Sequence, residues 1–121
     1  MKLKHISFMV RDIEKSINFY ELMTELTVIR RFTHEETKLA FLANKDGETE
    51  VEFICAPQGQ KFEGKGMFLC FECEDEKLDD MNQLAKDKGF NPSDIRIPGD
   101  GSRYFYVYDP DGVSVQLRSW T

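Results

Sequence analysis

Apolar and polar residues alternate through HISFMV, positions 5–10, so that Ile6, Phe8 and Val10 share one face of an extended chain and His5, Ser7 and Met9 the other. The period then lengthens. Over IEKSINFYELM, Ile13, Ile17, Tyr20 and Met23 recur at helical spacing, and Asp12 stands where a helix cap belongs. Strand-like runs follow near ELTVIRRF, KLAFLA and TEVEFICA, with NKDGE as a turn before the last. FLCFEC, from Phe68, alternates again. EKLDDMNQLAKDKG then sets Leu78, Met81, Leu84 and Ala85 on one side of a second helix. Asp75 starts it, Gly89 stops it, and Lys86 and Lys88 lie in its last turn. Runs near DIRI, RYFYVYD and VSVQLRS come next, with DPDG as the turn before the last.

The two halves say the same thing. Phe8 recurs as Phe71, Asp12 as Asp75, and Val51-Glu52-Phe53 as Val115-Gln116-Leu117. The pattern reads as β-α-β-β-β written twice, as repeats 1–58 and 65–121 of a single domain spanning 1–121, joined around APQGQKFEGKG. The expected fold class is α+β, two βαβββ modules forming a curled mixed sheet. Each strand offers an apolar face to the helix of its own repeat. The opposite, more polar face carries His5, Glu52, Phe68 and Gln116, which are two pairs of equivalent positions expected to line a shared cup.

Composition narrows the partners. A net charge of −6 and a pI near 4.9 argue against nucleic acid and against an anionic membrane surface, since both call for a clustered positive field. No apolar run is long enough to span a bilayer, and MKLKHISFMV is too short and too interrupted for a signal peptide. Three cysteines, Cys55, Cys70 and Cys73, cannot all pair internally, which points to a reducing, cytoplasmic setting. Cys70 and Cys73 are three apart on a strand and so face opposite sides, which makes them a wall residue and a core residue, not a redox pair. His34 reads as a surface histidine near a hairpin tip, and PGDGS as a turn before a strand.

KHISFMVRDIEKSINFY, the VEF strand and the closing DPDGVSVQL resemble the vicinal oxygen chelate superfamily over essentially the whole chain. That group includes glyoxalase I, extradiol dioxygenases, fosfomycin-resistance enzymes and bleomycin-binding proteins. The resemblance implies that the first strand of each repeat supplies a His and the last a Glu, all converging on one divalent ion (nickel, zinc, manganese or iron). Carried onto this chain, the metal ligands are His5, Glu52 and Gln116, with Gln116 standing where a Glu is usual. Phe68 stands where the second His is usual, and a phenyl ring has no lone pair to donate. Glu52 is the catalytic base of such a site, and Phe68, Cys70, Glu72 and Arg118 line the ligand pocket. The glutathione-handling members carry an Arg in the first strand, where this chain has Met9 or Val10.

Two functions follow from the resemblance. One is a metal-dependent lyase or isomerase, similar to lactoylglutathione lyase, acting on a small oxygen-rich substrate at a depleted metal site. The other is a non-catalytic binding protein, in which Phe68 and the tyrosines stack a flat, drug-like ligand. Tyr104, Tyr106 and Tyr108 alternate on one face of RYFYVYD, where they line the cup or stack at a subunit contact. The expected partners are a small molecule and a second copy of the chain, as a homodimer.

Overall fold

Strand β1 (His5–Met9) leads into helix α1 (Ile13–Thr24), and the chain then runs through β2 (Thr27–His34), β3 (Thr37–Ala43) and β4 (Glu50–Cys55). After these come β5 (Phe68–Glu72), α2 (Asp75–Asp87), β6 (Ser102–Tyr108) and β7 (Ser114–Trp120). These elements belong to a computed structural model that describes residues 1–45, 47–58 and 66–120. The chain divides into two compact units, Met1–Glu63 and Gly64–Thr121, referred to below as the first and second modules. The expected join around 56–66 falls mostly outside the described residues, as does Asp46 of the NKDGE turn.

The first module is a four-stranded mixed sheet in the order β1-β4-β3-β2, with β1 and β4 parallel and the other pairs antiparallel. A parallel pair needs a crossover, and α1 is part of it. Asp12 caps α1, its side chain accepting from the Lys15 N–H at 3.1 Å. The helix buries Ile13, Ile17, Phe19, Tyr20 and Met23. Tyr20 packs on Phe53 of β4 with ring centroids 5.1 Å apart, so the apolar alternation of the strands meets the helical stripe as the sequence pattern requires.

The second module is a three-stranded mixed sheet in the order β5-β7-β6, with β5 and β7 parallel. Its helix α2 buries only Leu78, Asn82 and Ala85. Glu74 occupies the cap position without a side-chain cap bond, and the neighbouring Asp75, expected to start the helix, turns its carboxylate to Arg103 and Ser119 of the sheet. The helix ends in a paired closure, Phe90 N–H to the Ala85 carbonyl and Gly89 N–H to that of Lys86. This closure needs a positive φ at Gly89, and it is 76°. The DPDG turn is held by the buried Asp109, whose carboxylate accepts from the N–H groups of Asp111 and Val113 at 2.8 and 2.9 Å.

The run at DIRI, expected as a short strand, is reduced to a single bridge between Arg96 and Tyr104. Pro92 and Pro98 bracket it without donors, and Asn91 turns the chain at φ 55°. Ser93 N–H donates to the Tyr106 carbonyl, and Tyr106 N–H in turn donates to the Ser93 hydroxyl at 3.0 Å instead of to a backbone carbonyl. From Ser93 to Arg96 the segment advances three residues while β6 advances two, and that mismatch breaks the ladder.

Candidate functional site

Strand register decides which side chains meet. In the first module His5 is paired with Glu50 and Ser7 with Glu52, while Phe41 of β3 lies beside Glu52 and Arg30 of β2 beside Phe41. Directly paired residues share a face, so these six side chains form one outer surface, away from α1. The sequence expectation that His5 and Glu52 share a face holds.

At its centre is Glu52, a carboxylate whose side chain is only 9% exposed. Its Oε1 accepts from the Ser7 hydroxyl at 2.5 Å and lies 3.6 Å from His5 Nε2. The His5 ring is set edge-on to Phe41, with centroids 5.7 Å apart. One row away, Glu50 is gripped at both oxygens by Arg30, at 2.5 and 3.2 Å, with Lys4 at 3.9 Å. That two-pronged bond, more than any other influence, holds the Glu50 carboxyl below the usual carboxylate range despite its burial. The Arg30 guanidinium also lies over the Phe41 ring, 4.4 Å from its centroid. Two buried carboxylates thus differ in their partners. Glu50 is neutralised by a fixed cation, and Glu52 keeps company with a hydroxyl and an imidazole.

The second module repeats this register with different chemistry. Phe68 is paired with Ser114, Cys70 with Gln116 and Glu72 with Arg118; across β7, Tyr106 lies beside Gln116 and Tyr104 beside Arg118. Phe68 is therefore the counterpart of His5, Cys70 of Ser7, Ser114 of Glu50, Gln116 of Glu52 and Tyr106 of Phe41. Phe68, Cys70, Glu72 and Arg118 do share one face, and Gln116 lies among them, half-buried. Phe68 is 65% exposed, and Tyr108 and Trp120 on the same face are more than half exposed. Tyr106 meets Tyr108 edge-on at 5.9 Å. Arg118 lies between rings, 4.6 Å from the centroid of Tyr104 and 5.3 Å from that of Trp120. It donates to the Ser102 hydroxyl and reaches Asp100 at 3.4 Å. Partial desolvation by its neighbours pushes the Cys70 thiol up, against the opposing charge of Arg118.

Alternation along each strand was enough to place His5, Glu52, Phe68, Cys70, Glu72, Gln116 and Arg118. Ser7, Arg30 and Arg96 were not read as site residues. Ser7 was legible as a face-mate of His5, whereas nothing local to Arg30 or Arg96 announces the ring beneath it. Among the described residues no group of three His, Cys, Asp or Glu side chains is gathered closely enough to hold a metal ion. In the first module His5 and Glu52 bring an imidazole nitrogen and a carboxylate oxygen to 3.6 Å of one another. Among those residues, too, no helix is long and apolar enough to cross a membrane.

A βαβββ module with a parallel first and last strand, a helix on one face and polar groups on the other defines an α+β protein of the glyoxalase fold. The chain belongs to the Glyoxalase/Bleomycin resistance protein/Dioxygenase superfamily, whose family model matches residues 2–117. It is 34% identical over 120 residues to the "Uncharacterized protein YwbC" of Bacillus subtilis (strain 168), covering 96% of this chain and 95% of that one. Among solved structures it is similar to the E126Q mutant of the fosfomycin resistance protein FosX from Listeria monocytogenes, complexed with Mn(II) and 1S,2S-dihydroxypropylphosphonic acid. There the TM-score is 0.78 at 22% identity, over 99% of this chain and 93% of that one. It is also similar to TnmS3, an antibiotic binding protein from Streptomyces sp. CB03234, with a TM-score of 0.77 at 17% identity over 100% and 97% of the two chains. Likeness at these identities speaks for the fold.

Proposed function

We propose that this protein is a small-molecule-binding member of the family, whose second module stacks a flat ligand on its aromatic sheet face. The observation that carries the reading is Phe68, a large ring left 65% exposed at the position equivalent to His5. Exposed rings standing on a sheet face are a stacking platform, and a phenyl in place of an imidazole exchanges coordination for dispersion and π contact. The antibiotic-binding role printed for TnmS3 supports the reading by analogy of fold. Calorimetric titration with planar aromatic probes tests it. Binding is expected in the micromolar to millimolar range, weakened severalfold by Phe68→Ala. Silence from every probe at millimolar concentration would end the reading.

The His5–Glu52 pair favours a second reading, a metal-dependent lyase or isomerase of the glyoxalase type acting on a small oxygen-rich substrate. His5, Glu52 and Gln116 are its proposed ligands for a divalent nickel, zinc, manganese or iron ion, and Glu52 is its proposed catalytic base. The fit is partial. An imidazole nitrogen and a carboxylate oxygen 3.6 Å apart suit neighbouring positions on one ion, and the amide of Gln116 would add a neutral oxygen. A bound ion would polarise vicinal oxygens of a substrate. On the protein side, Ser7 occupies Glu52 Oε1 and so fixes how the carboxylate is presented. Metal analysis of the purified protein, followed by titration of the parent and of Glu52→Gln, separates the two readings: a metal that stays bound to Glu52→Gln excludes Glu52 as a ligand. In either case we propose a single domain over 1–121 that works as a homodimer. Light scattering would then read twice the 14.1 kDa chain mass.

A further inference from the structure

The two outer faces repeat one another down to a cation lying over an aromatic ring. In the first module, Arg30 lies over Phe41, the β3 residue paired with Glu52. In the second, Arg96 lies 5.6 Å from the ring centroid of Tyr106, the β6 residue paired with Gln116. The bridge with Tyr104 puts Arg96 on the same outer face as the tyrosines. What differs is the counter-charge. Glu50 clamps Arg30 from the position paired with His5, and its counterpart in the second module, paired with Phe68, is Ser114. A serine hydroxyl carries no charge. Arg96 is exposed and, among the described residues, makes no ion pair, although Asp94 and Asp100 flank it in sequence. Asp100 is already held by Ser102 and Arg118.

From this comparison we infer that Arg96 is the anion-recognising residue of the second module, and that the ligand taken by the aromatic face is a flat aromatic bearing a carboxylate or similar acidic group. The inference rests on the stacking function proposed above and adds the ligand's charge to it. In the first module the protein supplies its own carboxylate to the guanidinium lying on a ring. In the second the ligand supplies it. A guanidinium offers a fork of donors that matches a carboxylate at two points, and its place over Tyr106 sets that fork beside the aromatic face.

Calorimetry with 2-naphthoate and its uncharged analogue 2-naphthamide is the test, run on the parent protein and on Arg96→Gln at low and high salt. The expected result is naphthoate binding roughly tenfold tighter than the amide in the parent. That preference should shrink with added salt and vanish in Arg96→Gln, while amide affinity stays the same. A parent that binds both probes equally, or prefers the amide, overturns the inference and leaves the stacking function standing. So does a preference that survives Arg96→Gln. If neither probe binds at millimolar concentration the inference is overturned, and the stacking function falls with it when the other planar probes are silent too. Even if the variant folds poorly, a preference in the parent that added salt leaves unchanged overturns the inference.

Discussion

The first module pins its helix to the sheet with aromatic side chains, and the second ties its helix down with a polar clamp. Tyr20 of α1 is fully buried against Phe53, with Phe19 and Met23 beside it. α2 has no aromatic residue at all. Instead, the Ser119 hydroxyl and Arg103 Nε donate to the Asp75 carboxylate at 2.7 and 3.0 Å, and Arg103 reaches on to Asp79 at 3.3 Å. Asn82 donates to the Ser93 carbonyl and secures the segment that carries Arg96. The outer faces reverse this division. The buried carboxylates, Glu50 with Arg30 and Glu52 with His5 and Ser7, are in the first module, whose outer face exposes one large ring among the described residues, Phe32. The second module exposes three, Phe68, Tyr108 and Trp120, and pairs Arg118 with Asp100. Duplicated modules can share a backbone pattern and still distribute polar and apolar duties in opposite ways, because each face meets different demands.

The largest effect that would sharpen this contrast is in the apolar anchor. Phe53→Ala removes a side chain with no exposure and should cost about 3–5 kcal/mol in chemical denaturation. A loss below about 1 kcal/mol would mean the aromatic packing is not what holds α1.

Next comes the asymmetry between His5 and Phe68. If the donor set proposed for a metal is right, Phe68→His should tighten nickel or zinc binding at least about tenfold, equivalent to about 1.4 kcal/mol. Adding Glu52→Gln should remove the gain. Unchanged affinity in a folded variant would exclude Phe68 from the neighbourhood of those donors.

The helix starts offer a smaller and cleaner contrast. Asp12→Ala deletes a cap bond and should cost about 1 kcal/mol. Glu74→Ala deletes a side chain with no cap bond and should stay within about 0.5 kcal/mol. Equal costs at the two positions would contradict the capping difference.

The last contrast shows only in acid. Bonds from Ser119 first, and then from Arg103, hold the Asp75 carboxyl below its ordinary value of 3.8. Arg30 does the same for Glu50, and Ser102 for Asp100. A depressed folded-state pKa contributes stability that is complete above the unfolded value and is lost as pH falls through the folded one. Thermal midpoints should therefore decline as pH drops below about 4.5. Asp75→Asn should flatten that decline in part. If its acid limb overlays that of the parent, the polar clamp contributes nothing to the pH dependence.

Much of the fold was legible from periodicity. Alternation in HISFMV, EVEFIC and VSVQLR put His5, Glu52 and Gln116 on outer faces, and Ile17, Tyr20 and Met23 marked the buried stripe of α1. The Asp12 cap, the Gly89 stop and the DPDG turn were equally plain, because each depends on the conformational preferences of a few adjacent residues. The broken strand at 94–97 was less so. Its β-like residues spell a strand, yet the flanking prolines and the extra residue against β6 limit it to one bridge.

By itself the sequence determined the repeat, the strand and helix order, and the face on which each candidate side chain stands, since these follow from spacing along one chain. Only the tertiary structure decided which charges find a partner and that Arg96 makes no ion pair among the described residues. Arg30 finds Glu50 twenty residues away, Ser7 finds Glu52 across a parallel ladder, and Arg96 lies over Tyr106 with Ser114 where a carboxylate would have answered it. Such partnerships are set by strand register, a property of two distant segments at once, and so no local pattern in either segment records them.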